Sequence, residues 1–319
     1  MHVRRVMGGG LAMAALLLGA ACSNDSTSTD PGSSSPGGGG DKGTISLSGQ
    51  NFTEMQIMAE MYKQVLENAG YTVDVKLVDT RDVYLPQLKS GAVDVVPDYL
   101  AGIADNLNAK ANGVNAPSIT KNSAEETLTA LKPLADAAGI TMLDPAKATD
   151  QNAFAVTKTF AEDNNLTTLS DLAALGQPVV LAAADDCKGR TDCEGGLSGT
   201  YGLNITRILP LGYDTPQVKD SVTSGESQLG EVATTDGALD QEGLVILEDD
   251  KGIQPAQNLI PAVNSDFLDA NPDVATVLNK LSATLTTEDL AALNVKASVQ
   301  RDKPADVASQ YLSDKGLIS

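Results

Sequence analysis

There is no tryptophan in these 319 residues, and aromatic side chains of every kind make up only 3% of them. An exposed ring is therefore scarce, and its position needs a reason. Histidine is scarcer still: the single imidazole is His2, inside an N-terminal stretch that reads as a removable leader. The body of the chain thus lacks the side chain most used for general base catalysis and metal ligation. It also lacks a G-x-S-x-G elbow and a P-loop. The one nominal catalytic match, the S-x-x-K run Ser118 to Lys121, has no accompanying K-T-G and reads as chance. Basic residues number 22 against 42 acidic ones, for a formal charge of −20. Nucleic acid and anionic membrane surfaces both require clustered Lys and Arg, so neither is an expected partner. No catalytic role, metal or cofactor is expected.

What remains is enough for real cores. The chain is 42% hydrophobic with a mean hydropathy of −0.09, and its length suits two domains of about 100–150 residues each.

The first 21 residues read as a signal peptide. Arg4 and Arg5 precede the apolar run LAMAALLLGAA, which ends at Cys22 and is too short to span a bilayer comfortably. LGAAC resembles the cleavage site of bacterial lipoproteins, which implies lipid on the Cys22 thiol and an extracytoplasmic, lipid-anchored protein. Residues 22–42 continue as SNDSTSTDPGSSSPGGGGDK after the cysteine. Nothing there can pack, and twenty such residues make a flexible tether with a reach of roughly 25 Å.

Cys187 and Cys193 remain as an isolated pair in DDCKGRTDCEGG. In an exported chain such a pair most often forms a disulfide, and the spacing is not that of a zinc site. The chain-entropy gain for so short a loop is about 2 kcal/mol.

The body alternates strand and helix. TISLSG and TVDVKLV have strand periodicity, and between them Ile57, Met58, Met61, Tyr62, Val65 and Leu66 form one helical stripe. Thr53 with Gln56 predicts a capping box, and Gly70 the helix end. VDVVP reads as a strand, Ser123 to Ala138 as a helix, and TMLD as a strand, which together predict a mostly parallel sheet. From Asn152 a second unit follows, with strands AFAVTK, PVVLAAA, ITRILPL and LGEVATT. After LVILEDD the chain returns through LIPAV to three helices, the first capped by Asn271. The predicted class is α/β, with two lobes joined by two crossings near residues 148–152 and 248–255. Lobe I is residues 43–149 plus 252–319, and lobe II residues 150–251.

Open α/β sheets bind ligands beyond the carboxyl ends of their strands. Asp98 and Tyr99 follow one such strand, and Thr235 with Asp236 follow another. Two edges facing each other make a cleft.

Several segments carry a resemblance. GQNFTEMQIMAEMY, RDVYLPQLKSGAVDVVPDYLAG, TLSDLA, GLSGTYGL and TTDGALDQEGLVILEDDKGIQPAQNLIPAV occur in collinear order between residues 44 and 319. They resemble the substrate-binding proteins of osmoprotectant ABC importers, the glycine betaine, carnitine and choline binders. That resemblance implies the bilobal type II periplasmic-binding-protein fold, a small-molecule ligand, and delivery to an ABC permease and its ATPase by a monomer. The other classes open to the sequence are a tethered sensor or surface interaction module, and an enzyme on the same fold.

The resemblance also implies a site. A quaternary ammonium ion donates no hydrogen bond, so aromatic faces hold it, at about 0.5–2 kcal/mol per contact. Tyr99 stands at the matching position of the P-D-Y motif, and Tyr84 in the RDVYLPQL segment; the alternative for both is packing. Asn51 and Phe52 match N-F-T-E and offer an amide and a face. Asp98 is either a counter-charge for a cation or the partner of Arg81. Thr234, Thr235 and Asp236 occupy the T-D-G block, with a plain Asp-Gly turn as the alternative. Where the family commonly carries further tyrosines, this chain has Ala233 and Thr234, then Gln257 and Asn258. This implies a more polar cleft in which Gln257 hydrogen-bonds the ligand.

Overall fold

A computed structural model describes residues 42–319. The leader, Cys22 and the tether up to Asp41 lie outside the described residues.

The first stretch supplies β1 (Thr44–Gln50), α1 (Thr53–Asn68), β2 (Thr72–Val78), α2 (Arg81–Ser90), β3 (Val95–Tyr99), α3 (Leu100–Asn112), a helix Ala124–Ala137 and β4 (Ile140–Met142). A second run supplies β5 (Asn152–Thr157), β6 (Pro178–Ala183), β7 (Asn204–Pro210), β8 (Leu229–Ala233) and β9 (Leu244–Leu247). β10 (Leu259–Asn264) then rejoins the first sheet, and C-terminal helices come after it. The sheets are ordered β2-β1-β3-β10-β4 and β7-β6-β8-β5-β9.

Both sheets are mixed, which corrects the mostly parallel expectation. β10 runs antiparallel to β3 and β4, and β5 antiparallel to β8 and β9. These are the strands next to the two crossings: a chain that passes straight from one sheet into the other need not complete a right-handed parallel crossover. The crossings themselves pair, through a bridge between Thr149 and Asn258 and through Asp150 N–H to Gln257 O at 3.1 Å. Each sheet keeps its own core. The buried clusters draw either on residues 45–148 and 256–312 or on residues 153–247.

Three local expectations change. Thr53 and Gln56 do not form a capping box; Gln56 Nε2 donates instead to Asn51 Oδ1 at 2.8 Å, and α1 begins after an extended Phe52. Asn271 is not the cap of the helix Asp273–Thr284, because Pro272 takes that position and a short helix Ser265–Ala270 precedes it. α2 and α3 have no counterpart in the sequence reading, where Pro86 and Gly102 interrupt both patterns. Gly102 has a structural reason: a Cβ there would lie 2.5 Å from an Arg81 guanidinium nitrogen. Cys187 and Cys193 are bonded to each other and fully buried in the second core. No helix of the described residues is long and apolar enough to cross a membrane.

Candidate functional site

A cavity of about 370 Å³ opens where the two sheets meet, a volume at the small end of the usual ligand range of roughly 300–1,000 Å³. It collects loops from strand carboxyl ends. The β1–α1 junction brings Phe52, Thr53 and Glu54, the first crossing brings Asp150, and the loop after β7 brings Tyr213 and Asp214. The segment after β8 brings Thr235, Asp236 and Gly237, and the end of the helix Thr287–Asn294 brings Asn294. Gly237 is needed where it stands, because a Cβ would lie 2.5 Å from the Ala291 carbonyl oxygen and push the β8 loop off that helix.

Phe52 and Tyr213 are the rings that remain open, 40% and 41% exposed. Tyr213 is set by an unusual turn. Gly212 has φ +95° and Asp214 φ +51°, a left-handed conformation that Asp tolerates better than most residues, and Thr215 then caps the helix Pro216–Thr223.

Carboxyl groups dominate the walls. Glu54 is buried, and its oxygens accept from the Tyr99 hydroxyl and from Asn294 Nδ2 at 2.6 Å. Burial, and next the nearby Asp150, push Glu54 up to about 7. Asp150 accepts from the Thr235 hydroxyl at 2.9 Å, and burial raises it too. Asp214 is pushed up to about 7 by burial and then by Asp236, against the pull of Lys219. Lys219 bonds Asp236 at 2.6 Å and lies 3.9 Å from Asp214 and 3.6 Å from Glu242.

The residues chosen from sequence divide sharply. Phe52, Thr235 and Asp236 line the cavity. Tyr99 does not. Its ring is buried in the first core and stacked behind Phe52, with centroids 6.4 Å apart and planes 10° from parallel, and its hydroxyl holds Glu54. Tyr84 is fully buried and donates to Asp98 at 2.5 Å. Arg81 grips the same carboxylate with Nε at 3.0 Å and a terminal nitrogen at 2.6 Å, so Asp98 is neutralised inside the first sheet's body rather than offered to a ligand. Gln257 accepts from the Gly102 N–H at 3.1 Å, while Asn258 and Ala256 carbonyls take the Leu100 and Ala101 N–H groups. Residues 256–258 therefore cap the open end of α3. Thr234 braces the crossing, donating to Thr149 O and accepting from Gln151 N–H. Asn51 is exposed and holds Gln56.

Glu54, Asp150, Tyr213, Asp214 and Asn294 escaped the sequence reading. The signal that singles out Tyr99, a ring just past a strand's carboxyl end, is also present in ILPLGYDTP and would have found Tyr213. Nothing in sequence marks Asn294, which reaches the cavity from a helix 240 residues away from Glu54.

A second recess of about 510 Å³ is lined by helix and loop residues, among them Asp105, Ser118, Asp192 and Gln254. Its lining includes no aromatic ring, and Ser118 is tied to Asp105 at 2.8 Å.

The family described as the substrate-binding domain of ABC-type glycine betaine transport systems matches residues 43–314. This chain belongs to that family. A glycine-betaine-binding protein of Pseudomonas aeruginosa is 27% identical over 290 residues, covering 86% of this chain and 89% of that one. The carnitine transport binding protein OpuCC of Listeria monocytogenes is 25% identical over 281 residues, covering 85% and 86%. Among solved structures, apo YehZ from Escherichia coli superposes with a TM-score of 0.74 at 27% identity, over 86% of this chain and 99% of that one. A glycine betaine/carnitine/choline ABC transporter structure gives 0.73 at 20% identity, over 86% and 100%. Two mixed sheets joined by two crossings are thus the bilobal periplasmic-binding-protein architecture. Members of this osmoprotectant-binding family are named as binding proteins rather than enzymes.

Proposed function

We propose that this chain is the extracytoplasmic solute receptor of an ABC importer. In this reading it captures a small organic molecule in the cavity between its sheets and hands it to a membrane permease. Lobe I is residues 43–149 plus 252–319, lobe II is residues 150–251, and lipid on Cys22 keeps the body near the membrane on its tether. The observation that carries the reading is the pair Phe52 and Tyr213. In a chain with 3% aromatic residues, two half-open rings, one from each sheet's edge, line one cavity. Rings left open to solvent at matching edges suit a ligand that draws the lobes together, since only a closed cleft gives it both faces.

The test is a thermal shift of the chain from Ser23 onward with glycine betaine, choline and carnitine. A ligand at about 100 times its Kd stabilises by roughly 2.7 kcal/mol. Phe52→Ala and Tyr213→Ala should each fold normally, because half-exposed rings contribute little to the core, and should weaken binding about tenfold or more. No shift with any of the three compounds would refute the reading.

A further inference from the structure

The charge around this cavity is lopsided, and what that implies for selectivity rests on the receptor reading. Glu54, Asp150, Asp214 and Asp236 line the cavity, while none of its lining residues is Lys or Arg. Lys219, the cation beside it, is already engaged by Asp236, Asp214 and Glu242. A zwitterion entering here finds acceptors and rings for its cationic end and no basic side chain for its carboxylate. That carboxylate would be desolvated among like charges, which is costly without a partner.

The acids are also arranged for an organic ion and not a metal. Among the described residues these four carboxyl groups do not converge on one point as metal ligands would; the one close set of potential ligands is Cys187, Cys193 and Glu231, whose sulfurs are joined to each other. Spread around a wall that also carries Phe52 and Tyr213, the acids suit a polyatomic cation with apolar surface.

We propose that the cavity selects solutes of net positive charge without a free carboxylate, and that it takes them up in exchange for protons held by Glu54 with its neighbour Asp150 and by Asp214. The step balances simply. A carboxylic acid of the cavity loses its O–H proton to solvent, and the resulting carboxylate becomes the counter-ion of the incoming cation; no other bond changes.

The groups facing these acids fit this. Glu54 meets the Tyr99 phenol from β3, the Asn294 amide from the helix Thr287–Asn294, and Asp150 and Thr235 from the crossing and the β8 loop. Asp214 meets Asp236, Lys219 and the Tyr213 phenol, with Glu231 behind it on β8. Desolvation and neighbouring carboxylates keep both phenols neutral well past the physiological range, and its acidic neighbours keep Lys219 charged. Only carboxyl groups titrate near neutrality here: Glu54 and Asp214 each lie at about 7. Low pH therefore fills the site with protons, and higher pH frees it for a cation.

Choline and glycine betaine are matched probes, sharing a trimethylammonium head and differing in a hydroxymethyl group against a carboxylate. Titration calorimetry at pH 8 should show choline binding at least tenfold tighter than glycine betaine. Choline affinity should fall about tenfold or more between pH 8 and pH 5.5. At pH 7, two buffers of different ionisation heat should reveal net proton release, and Glu54→Gln should reduce that release. Equal affinity for the two compounds, tighter binding of glycine betaine, or choline binding that ignores pH would overturn the inference and leave the receptor reading intact. Binding by neither compound would sink the inference, and the receptor reading with it only if carnitine also failed to bind.

Discussion

Replacing Tyr99 separates a cavity wall from the buttress behind it. Tyr99→Ala removes a ring that is 8% exposed, stacked on Phe52 and packed in the first core. Truncating a buried aromatic costs about 3–5 kcal/mol, and at roughly 2–4 °C per kcal/mol for a chain of this size the melting temperature should drop by about 6–20 °C. Tyr99→Phe is the finer instrument. It keeps the stack and deletes only the hydroxyl that Glu54 accepts, leaving a buried carboxyl oxygen short of a donor at about 1–3 kcal/mol. That penalty has a sign in pH. The Tyr99 bond favours the charged form of Glu54, so its loss should be felt more at pH 8, where the carboxylate predominates, than at pH 5, where the acid is protonated. Urea denaturation of wild type and both variants at the two pH values, followed by far-ultraviolet circular dichroism, measures all of this. Wild-type stability in Tyr99→Ala together with lost ligand binding would refute the buttress argument and restore Tyr99 to the cavity wall, the other of the two places the sequence left open to it.

The same chemistry sets two further outcomes. Glu54 has an ordinary value near 4.5 and about 7 in the fold, so the native state holds the extra proton between those values; stability from this group is full below pH 4.5 and is lost as pH rises through 7, by on the order of 3 kcal/mol. Glu54→Gln should flatten that decline in a series of melts from pH 4.5 to 8, and an unchanged slope would assign it to other groups. Reducing Cys187–Cys193 or replacing both by Ala should lower stability by at least about 2 kcal/mol, and thiols that alkylate in denatured, unreduced protein would deny the bond.

The fold was legible because its signals are local. Alternating runs such as TISLSG and TVDVKLV become β1 and β2, and the stripe from Ile57 to Leu66 becomes the buried face of α1. Strand direction was not legible. Whether VDVVP and LIPAV run parallel depends on where the chain re-enters the sheet after some hundred and fifty residues, and no propensity records that; their observed register even sets Pro97 opposite Pro261, a rung in which neither residue has an N–H to give. Charge pairing was half legible. Arg81 was one of two readings for Asp98 and is the one observed, but the bond from Tyr84 that completes the burial of that carboxylate needed the packing of α2 against β3.

Of the residues just past a strand's carboxyl end that the sequence singles out, Thr235 and Asp236 line the cavity and Tyr99 does not, and the reason lies in the backbone just past each strand. β3 runs without a loop into α3, and the first N–H groups of that helix are taken by residues 256–258 of the returning chain. With the backbone pinned on both sides, Tyr99 has no loop on which to reach the cavity, so its ring turns into the core and only its hydroxyl acts outward, through Glu54. β1 and β7 end differently. An extended Phe52 separates β1 from α1, and Gly212 and Asp214, both at positive φ, flank Tyr213 after β7. A ring past a strand's end therefore reaches the cavity only where the backbone leaves the sheet before the next helix begins. By that criterion Phe52 and Tyr213 line the cavity, and Tyr99 holds Phe52 and Glu54 in place from behind.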